Sequence, residues 1–207
     1  MSTISTLAEH RVLLDGVSWQ TYSALVDESE HAGGRMTYDQ GTLEIMSPLM
    51  PRESGKRMLG RMIEMFTLLR GIEIRSSAST TFRRTDLKRG FEADESYYIQ
   101  FAAHIRSKRE IDLSIDPPPD LVVEIEMTRS AIDKLRLFAS MVIPEVWRYD
   151  GNTLWIGSHQ KDRYVETKFS HVLPDFPVEL AGEFLAQRFD VSETVLIRQF
   201  VACVAIK

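Results

Sequence analysis

The stretch PPPDLVVEIEM, residues 117–127, constrains the fold of this chain more than any other. The proline run before it and a helical pattern after it bound a short strand over 120–127, apolar enough to lie centrally in a sheet. Side chains alternate along a strand, so Leu121, Val123, Ile125 and Met127 share one face. Asp120, Val122, Glu124 and Glu126 share the other. Glu124 and Glu126 are then neighbours, roughly 7 Å apart along the strand axis. Burying an unpaired charge is costly, so such a strand needs a compensating partner for its carboxylates.

A second acidic strand can supply the setting. In FEADESYYI, residues 91–99, alternation puts Glu92, Asp94, Ser96 and Tyr98 on one face. If this strand pairs with 120–127, Asp94 meets Glu124 across the ladder. A divalent cation would remove the repulsion between such carboxylates, and Mg²⁺ takes a few carboxylate oxygens with water and phosphate. Lys134 follows on the flank of the next helix and could reach back toward the cluster. There it could orient an attacking water or steady negative charge at phosphorus. Asp120 lies about 13 Å from Glu124 along its strand and reads as a strand start. Plain structural readings compete: a wet polar face for the glutamates, and a snorkelling surface lysine for Lys134.

The remaining sequence narrows the field. A length of 207 residues suits one domain over 1–207, with a core near 33–158 and a C-terminal extension over 159–207. No apolar run is long enough for a membrane helix, and the N-terminus lacks the pattern of a secretory leader. The single cysteine, Cys203, fits a reducing compartment, and a cytoplasmic location is expected. A net charge of −5 argues against a protein that coats nucleic acid nonspecifically, though not against local basic patches. Such patches occur at Arg52, Lys56, Arg57 and Arg61, at Arg83, Arg84, Lys88 and Arg89, and at Arg106, Lys108 and Arg109. Each alone reads as a solvated face. The five histidines are scattered without ligand spacing, and Tyr97 and Tyr98 read as sheet cover.

The predicted elements are a helix over 18–30, a hairpin over 35–48 around an Asp-Gln-Gly turn, and a long helix over 52–70 ended by Gly71. Strands follow at 72–78, 80–84, 91–99 and 120–127, then a helix over 130–143. A strand pair around Asp150-Gly151-Asn152, a strand over 163–168 and a capping helix over 192–205 complete the chain. The fold class is α/β or α+β: a mixed central sheet flanked by helices, with an N-terminal helix and hairpin and a C-terminal helix.

The pairing of Asp94 with Glu124-Ile125-Glu126 resembles the PD-(D/E)xK nuclease superfamily. Ala93 stands where that motif has proline, and Glu126 where it has lysine. Longer stretches are similar to the Uma2 family (DUF820), which includes many cyanobacterial proteins: GVSWQTYSAL, MTYDQGTLEIMSP, STTFRRTDLKRGFEADESYYIQ, KREIDLSIDPPPDLVVEIEMT and VIPEVWRYDG. The resemblance implies a restriction-endonuclease-like core and a Mg²⁺- or Mn²⁺-dependent DNA endonuclease. Asp94 and Glu124 would hold the metal, with Glu126 as a further ligand or an aid in polarising water, and Lys134 as the catalytic lysine. Glu53, at the start of helix 52–70, is the candidate for the acid that the superfamily often adds from its first core helix. Glu44 matches the family pattern in a hairpin and could be structural. Lys56, Arg57, Arg83 and Arg84 are the candidates for holding the DNA backbone. A homodimer would suit a cut through both strands.

Two alternatives carry weight at this point. The departures at Ala93 and Glu126, with the acidic net charge, suit a nuclease-fold binding or regulatory module with little turnover. The carboxylate face could instead serve a homodimer contact.

Overall fold

The computed structural model describes residues 9–28 and 34–205. The other residues lie outside it, and with them the end of the helix expected over 18–30 and half of the N-terminal stretch. In chain order the elements begin with β1 (His10–Leu14), α1 (Trp19–Glu28), β2 (Arg35–Asp39), β3 (Thr42–Ser47) and α2 (Met50–Arg70). Next come β4 (Arg75–Ser76), β5 (Thr81–Arg84), β6 (Arg89–Glu92), β7 (Glu95–Tyr98), α3 (Ala102–Ile105) and β8 (Leu121–Ile125). The chain continues through α4 (Lys134–Ser140), β9 (Glu145–Tyr149), β10 (Leu154–Gln160), β11 (Arg163–Glu166), α5 (Val178–Ala186) and α6 (Glu193–Ala205).

These strands form two sheets. A five-stranded antiparallel sheet runs β1-β3-β2-β6-β5. A six-stranded sheet runs β11-β10-β9-β8-β7-β4, and only its β8–β9 pair is parallel, joined through α4. The mixed sheet with flanking helices is thus present, and a second sheet accompanies it.

Local chemistry explains several boundaries. Gln40 and Gly41 take φ of 49° and 111°, which closes the β2–β3 hairpin with a twist matched to its strands. Gly71 caps α2 in the left-handed region at φ 64°, and its N–H reaches back to Leu68. Asp133 caps α4 by accepting from the Arg136 amide, so α4 begins at Lys134 rather than at 130. The strand expected over 91–99 is two strands. β6 belongs to the antiparallel sheet and β7 to the mixed one, and the chain changes sheets at Ala93-Asp94.

The apolar stripe of α2 packs on one face of the mixed sheet. Met58, Met62 and Phe66 meet Leu121, Val123, Ile125 and Trp147, with α5 and α6 closing the layer through Phe184 and Phe200. The opposite face carries Val122, Val146 and Tyr98 against Leu137 and Phe138 of α4 and Phe82 and Phe91 of the first sheet. A separate small core lies under α1, where Tyr22 stacks on Tyr38 with ring centroids 4.7 Å apart.

That small core depends on a bare position in β6. A Cβ built on Gly90 would stand 2.2 Å from the Tyr22 hydroxyl and 2.8 Å from its ring. Gly90→Ala is therefore expected to destabilise the protein by about 1–3 kcal/mol in chemical denaturation. A variant as stable as the parent would show that α1 does not press on β6 as described.

Candidate active site

Asp94 owes its place to the change of sheets. The β7–β8 ladder pairs Glu95 with Val123, which carries Asp94 opposite Glu124 one step beyond. Its Oδ2 accepts the Ile125 amide at 2.6 Å, in place of a ladder carbonyl. Asp94 is fully buried and Glu124 nearly so. The expected meeting of these two carboxylates is present.

What compensates them is chiefly Arg52, in the first turn of α2. Its side chain is 1% exposed. Its guanidinium grips Asp94 side-on, Nε to Oδ1 at 3.0 Å and Nη2 to Oδ2 at 2.9 Å. It also reaches Glu124 Oε2 at 3.3 Å and Glu9 Oε1 at 3.1 Å. Arg35 of β2 adds a contact to Asp94 Oδ1 at 2.7 Å. Lys134 Nζ donates to Glu124 Oε2 at 2.7 Å. Arg11 of β1 joins Glu9 at 2.7 Å to Glu44 at 2.5 Å. Four carboxylates (Glu9, Glu44, Asp94, Glu124) thus face four cations (Arg11, Arg35, Arg52, Lys134), and the cluster is neutral as a whole.

The two central carboxylates differ in proton affinity. Burial pushes the Asp94 carboxyl up, but Arg52 and Arg35 outweigh it and hold the group below the usual carboxylate range. Burial pushes Glu124 up and Asp94 adds to the rise, against Lys134 and Arg52, so Glu124 is the one that takes a proton more readily. Glu124 Oε1 is buried with no hydrogen-bond partner among the described residues. Two facing carboxylates with one open oxygen have the donor chemistry of a hard divalent cation. The oxygens of Asp94, however, are already taken by Arg52, Arg35 and an amide. Among the described residues no three His, Cys, Asp or Glu side chains are arranged to hold a metal ion.

The other site candidates separate. Glu53 meets Arg35 at 2.9 Å and Lys56 at 3.7 Å, and so connects to Asp94 only through Arg35. The Glu126 carboxylate accepts the Ser130 amide at 3.3 Å and faces Arg148 at 3.3 Å. Lys56 is buried, whereas Arg57 is exposed. Arg83 and Arg84 are paired with Asp27 and Asp86 at 2.8 and 2.7 Å. Glu44 ties the β2–β3 hairpin to the loop after β8, accepting from the Ser130 hydroxyl and the Ala131 amide. Asp120 caps the turn after β7 by accepting the Ile99 and Gln100 amides.

Arg52 and Glu9 were absent from the candidates read in sequence. The helical repeat of α2 does carry the signal for Arg52: stepping back from Leu59 by four and three residues reaches Gly55 and Lys56, then Arg52, all buried. A cavity of about 310 Å³ opens beside the cluster, lined by Glu124, Glu126, Arg129, Ser130, Lys134 and Arg148 among others.

Arg52→Met is expected to cost about 3–5 kcal/mol of stability, since three buried carboxylates lose their shared counter-cation. Arg61→Met, which breaks only the exposed pair with Glu193, should cost at most ~1 kcal/mol. Equal losses in urea denaturation would contradict the central role of Arg52.

A family model described as Uma2, putative restriction endonuclease, matches residues 19–188. A solved structure described as a putative nuclease belonging to DUF820, from Anabaena variabilis ATCC 29413, is similar at a TM-score of 0.53 and 13% identity. The match covers 89% of this chain and 99% of that one, and at such identity it speaks for the fold alone. No curated protein matches.

Proposed function

The chain belongs to the Uma2 family, and from that premise we propose that it hydrolyses phosphodiester bonds of DNA with the help of Mg²⁺ or Mn²⁺. One observation carries the reading: Asp94 and Glu124 face each other on adjacent strands, with Lys134 Nζ 2.7 Å from Glu124 at the wall of a cavity. Asp94 and Glu124 would hold the ion, Glu124 through its open Oε1 and Asp94 by exchanging its Arg52 contact for the ion. When bound, the ion would supply Lewis-acid polarisation of a phosphoryl oxygen. Lys134 does two things from its place on α4. It fixes the Glu124 carboxylate through Oε2, and it presents positive charge where negative charge develops on the phosphoryl group. Arg57 is the exposed member of the proposed backbone contacts. A homodimer would bring two such sites to one duplex. A cytoplasmic location accords with this substrate, and no described helix is long and apolar enough to cross a membrane.

The grip of Arg52 on Asp94 favours a second reading. In a neutral cluster a guanidinium can serve in the place of a divalent ion, leaving a nuclease-fold module that binds nucleic acid with little turnover. Supercoiled plasmid incubated with Mn²⁺, Mg²⁺ or EDTA separates the two. Metal-dependent nicking is expected from the parent, none from Glu124→Gln, and a rate lower by ~10²–10³-fold from Lys134→Met. Absence of nicking together with absence of Mn²⁺ binding by electron paramagnetic resonance would reject the hydrolase and leave the module.

A further inference from the structure

The cavity beside Glu124 has a wall that the hydrolytic cluster does not use. β8 and β9 are parallel with Glu124 beside Arg148, and β9 and β10 are antiparallel with Arg148 beside Trp155. Neighbours in such registers share a face. A row therefore runs from Glu124 through Arg148 to Trp155, on the α4 side of the sheet.

Arg148 is held from two directions. Its guanidinium carbon lies 5.3 Å from the centroid of the Trp155 ring, within cation–π range. On its other side it faces Glu126 at 3.3 Å. Trp155 is itself pinned, because its ring lies across Gly157 so closely that a Cβ there would come within 2.1 Å. Glu126 is anchored by the Ser130 amide. Arg148 nevertheless keeps 37% of its side chain exposed and lines the cavity.

The placement of the guanidiniums around the cavity points to an anion. Glu124 is matched by Lys134 and Glu126 by Arg148. Arg129 lines the same space with no ion pair among the described residues, and Asp133, the remaining lining carboxylate, accepts the Arg136 amide as the cap of α4. A fixed guanidinium fork presents parallel N–H donors that suit phosphate oxygens. The floor, made by Ile132, Leu135, Phe138 and Val146, is apolar and strengthens charge interactions above it.

We infer that this cavity is a phosphate subsite, with Arg148 as its gripping residue, taking a backbone phosphate that flanks the scissile one. Glu126 is then a positioning residue for Arg148, which gives a carboxylate two residues from Glu124 a purpose outside the metal set. The inference rests on the nucleic-acid reading above, since the same chemistry could hold inorganic phosphate.

Fluorescence anisotropy with a labelled oligonucleotide, single- and double-stranded, tests it in EDTA, where no strand is cut. The parent is expected to bind. Arg148→Gln should bind roughly 10- to 100-fold more weakly, with a salt slope smaller by about one. Arg148→Lys should keep the parent slope while losing part of the affinity, which a merely structural role would not produce. Glu126→Gln should weaken binding with the slope unchanged. Unaltered melting temperatures show that the variants are folded. Binding by the parent with the same affinity and slope in Arg148→Gln would overturn the subsite and leave the nuclease reading standing. No oligonucleotide binding by the parent, with inorganic phosphate bound in an Arg148-dependent way, would overturn both.

Discussion

Arg52 is the interaction on which the rest of the structure depends. Asp94 lies at the point where the chain leaves one sheet for the other, and Glu124 lies on the central strand of the second sheet. Neither carboxylate could stay buried and charged without a cation at contact distance. One guanidinium meets both, and also Glu9 just before β1. Helix α2, both sheets and the N-terminal edge thus converge on one side chain. Its planar fork suits this work, because a single ammonium could not hold Asp94 side-on while reaching two further carboxylates.

The arrangement divides the labour of the acidic residues. Asp94 is fixed by three donors, Arg52, Arg35 and the Ile125 amide. Glu124 has one engaged oxygen, one open oxygen and the higher proton affinity of the two. Glu44 and Glu9 work at a distance. Through Arg11 and Thr128 they hold the loop between β8 and α4, and that loop forms a wall of the cavity. Glu126 faces away from Asp94 toward Arg148. The acidic strand therefore serves a buried charge cluster with one glutamate and a surface guanidinium with the next.

Much of this was legible in the chain. The DLVVEIEM strand, the methionine-striped helix and the Asp-Gln-Gly hairpin all follow from local rules that act over a few residues. Three things were not. β1 and α5 carry weak local signals: β1 is an exposed edge strand, and α5 is held by α2 and β10 rather than by caps. The split of residues 91–99 depends on Asp94 capturing the Ile125 amide 31 positions away. The basic residues read as solvated faces divided according to their partners, with Arg52 buried, Lys56 nearly so, and Arg83 and Arg84 in surface pairs.

The sequence by itself determined most of the elements, the strand faces on which Asp94 and Glu124 lie, and the family to which the chain belongs. Period and turn chemistry are local, and alternation along two paired strands places opposite residues on a common face. Only the tertiary structure decided which cation answers the buried carboxylates and where Glu126 points. Those choices depend on long-range distances between helix α2, the sheet junction and the β9–β10 pair. Electrostatic energy in a buried site falls or rises steeply with such distances, and no local pattern encodes them.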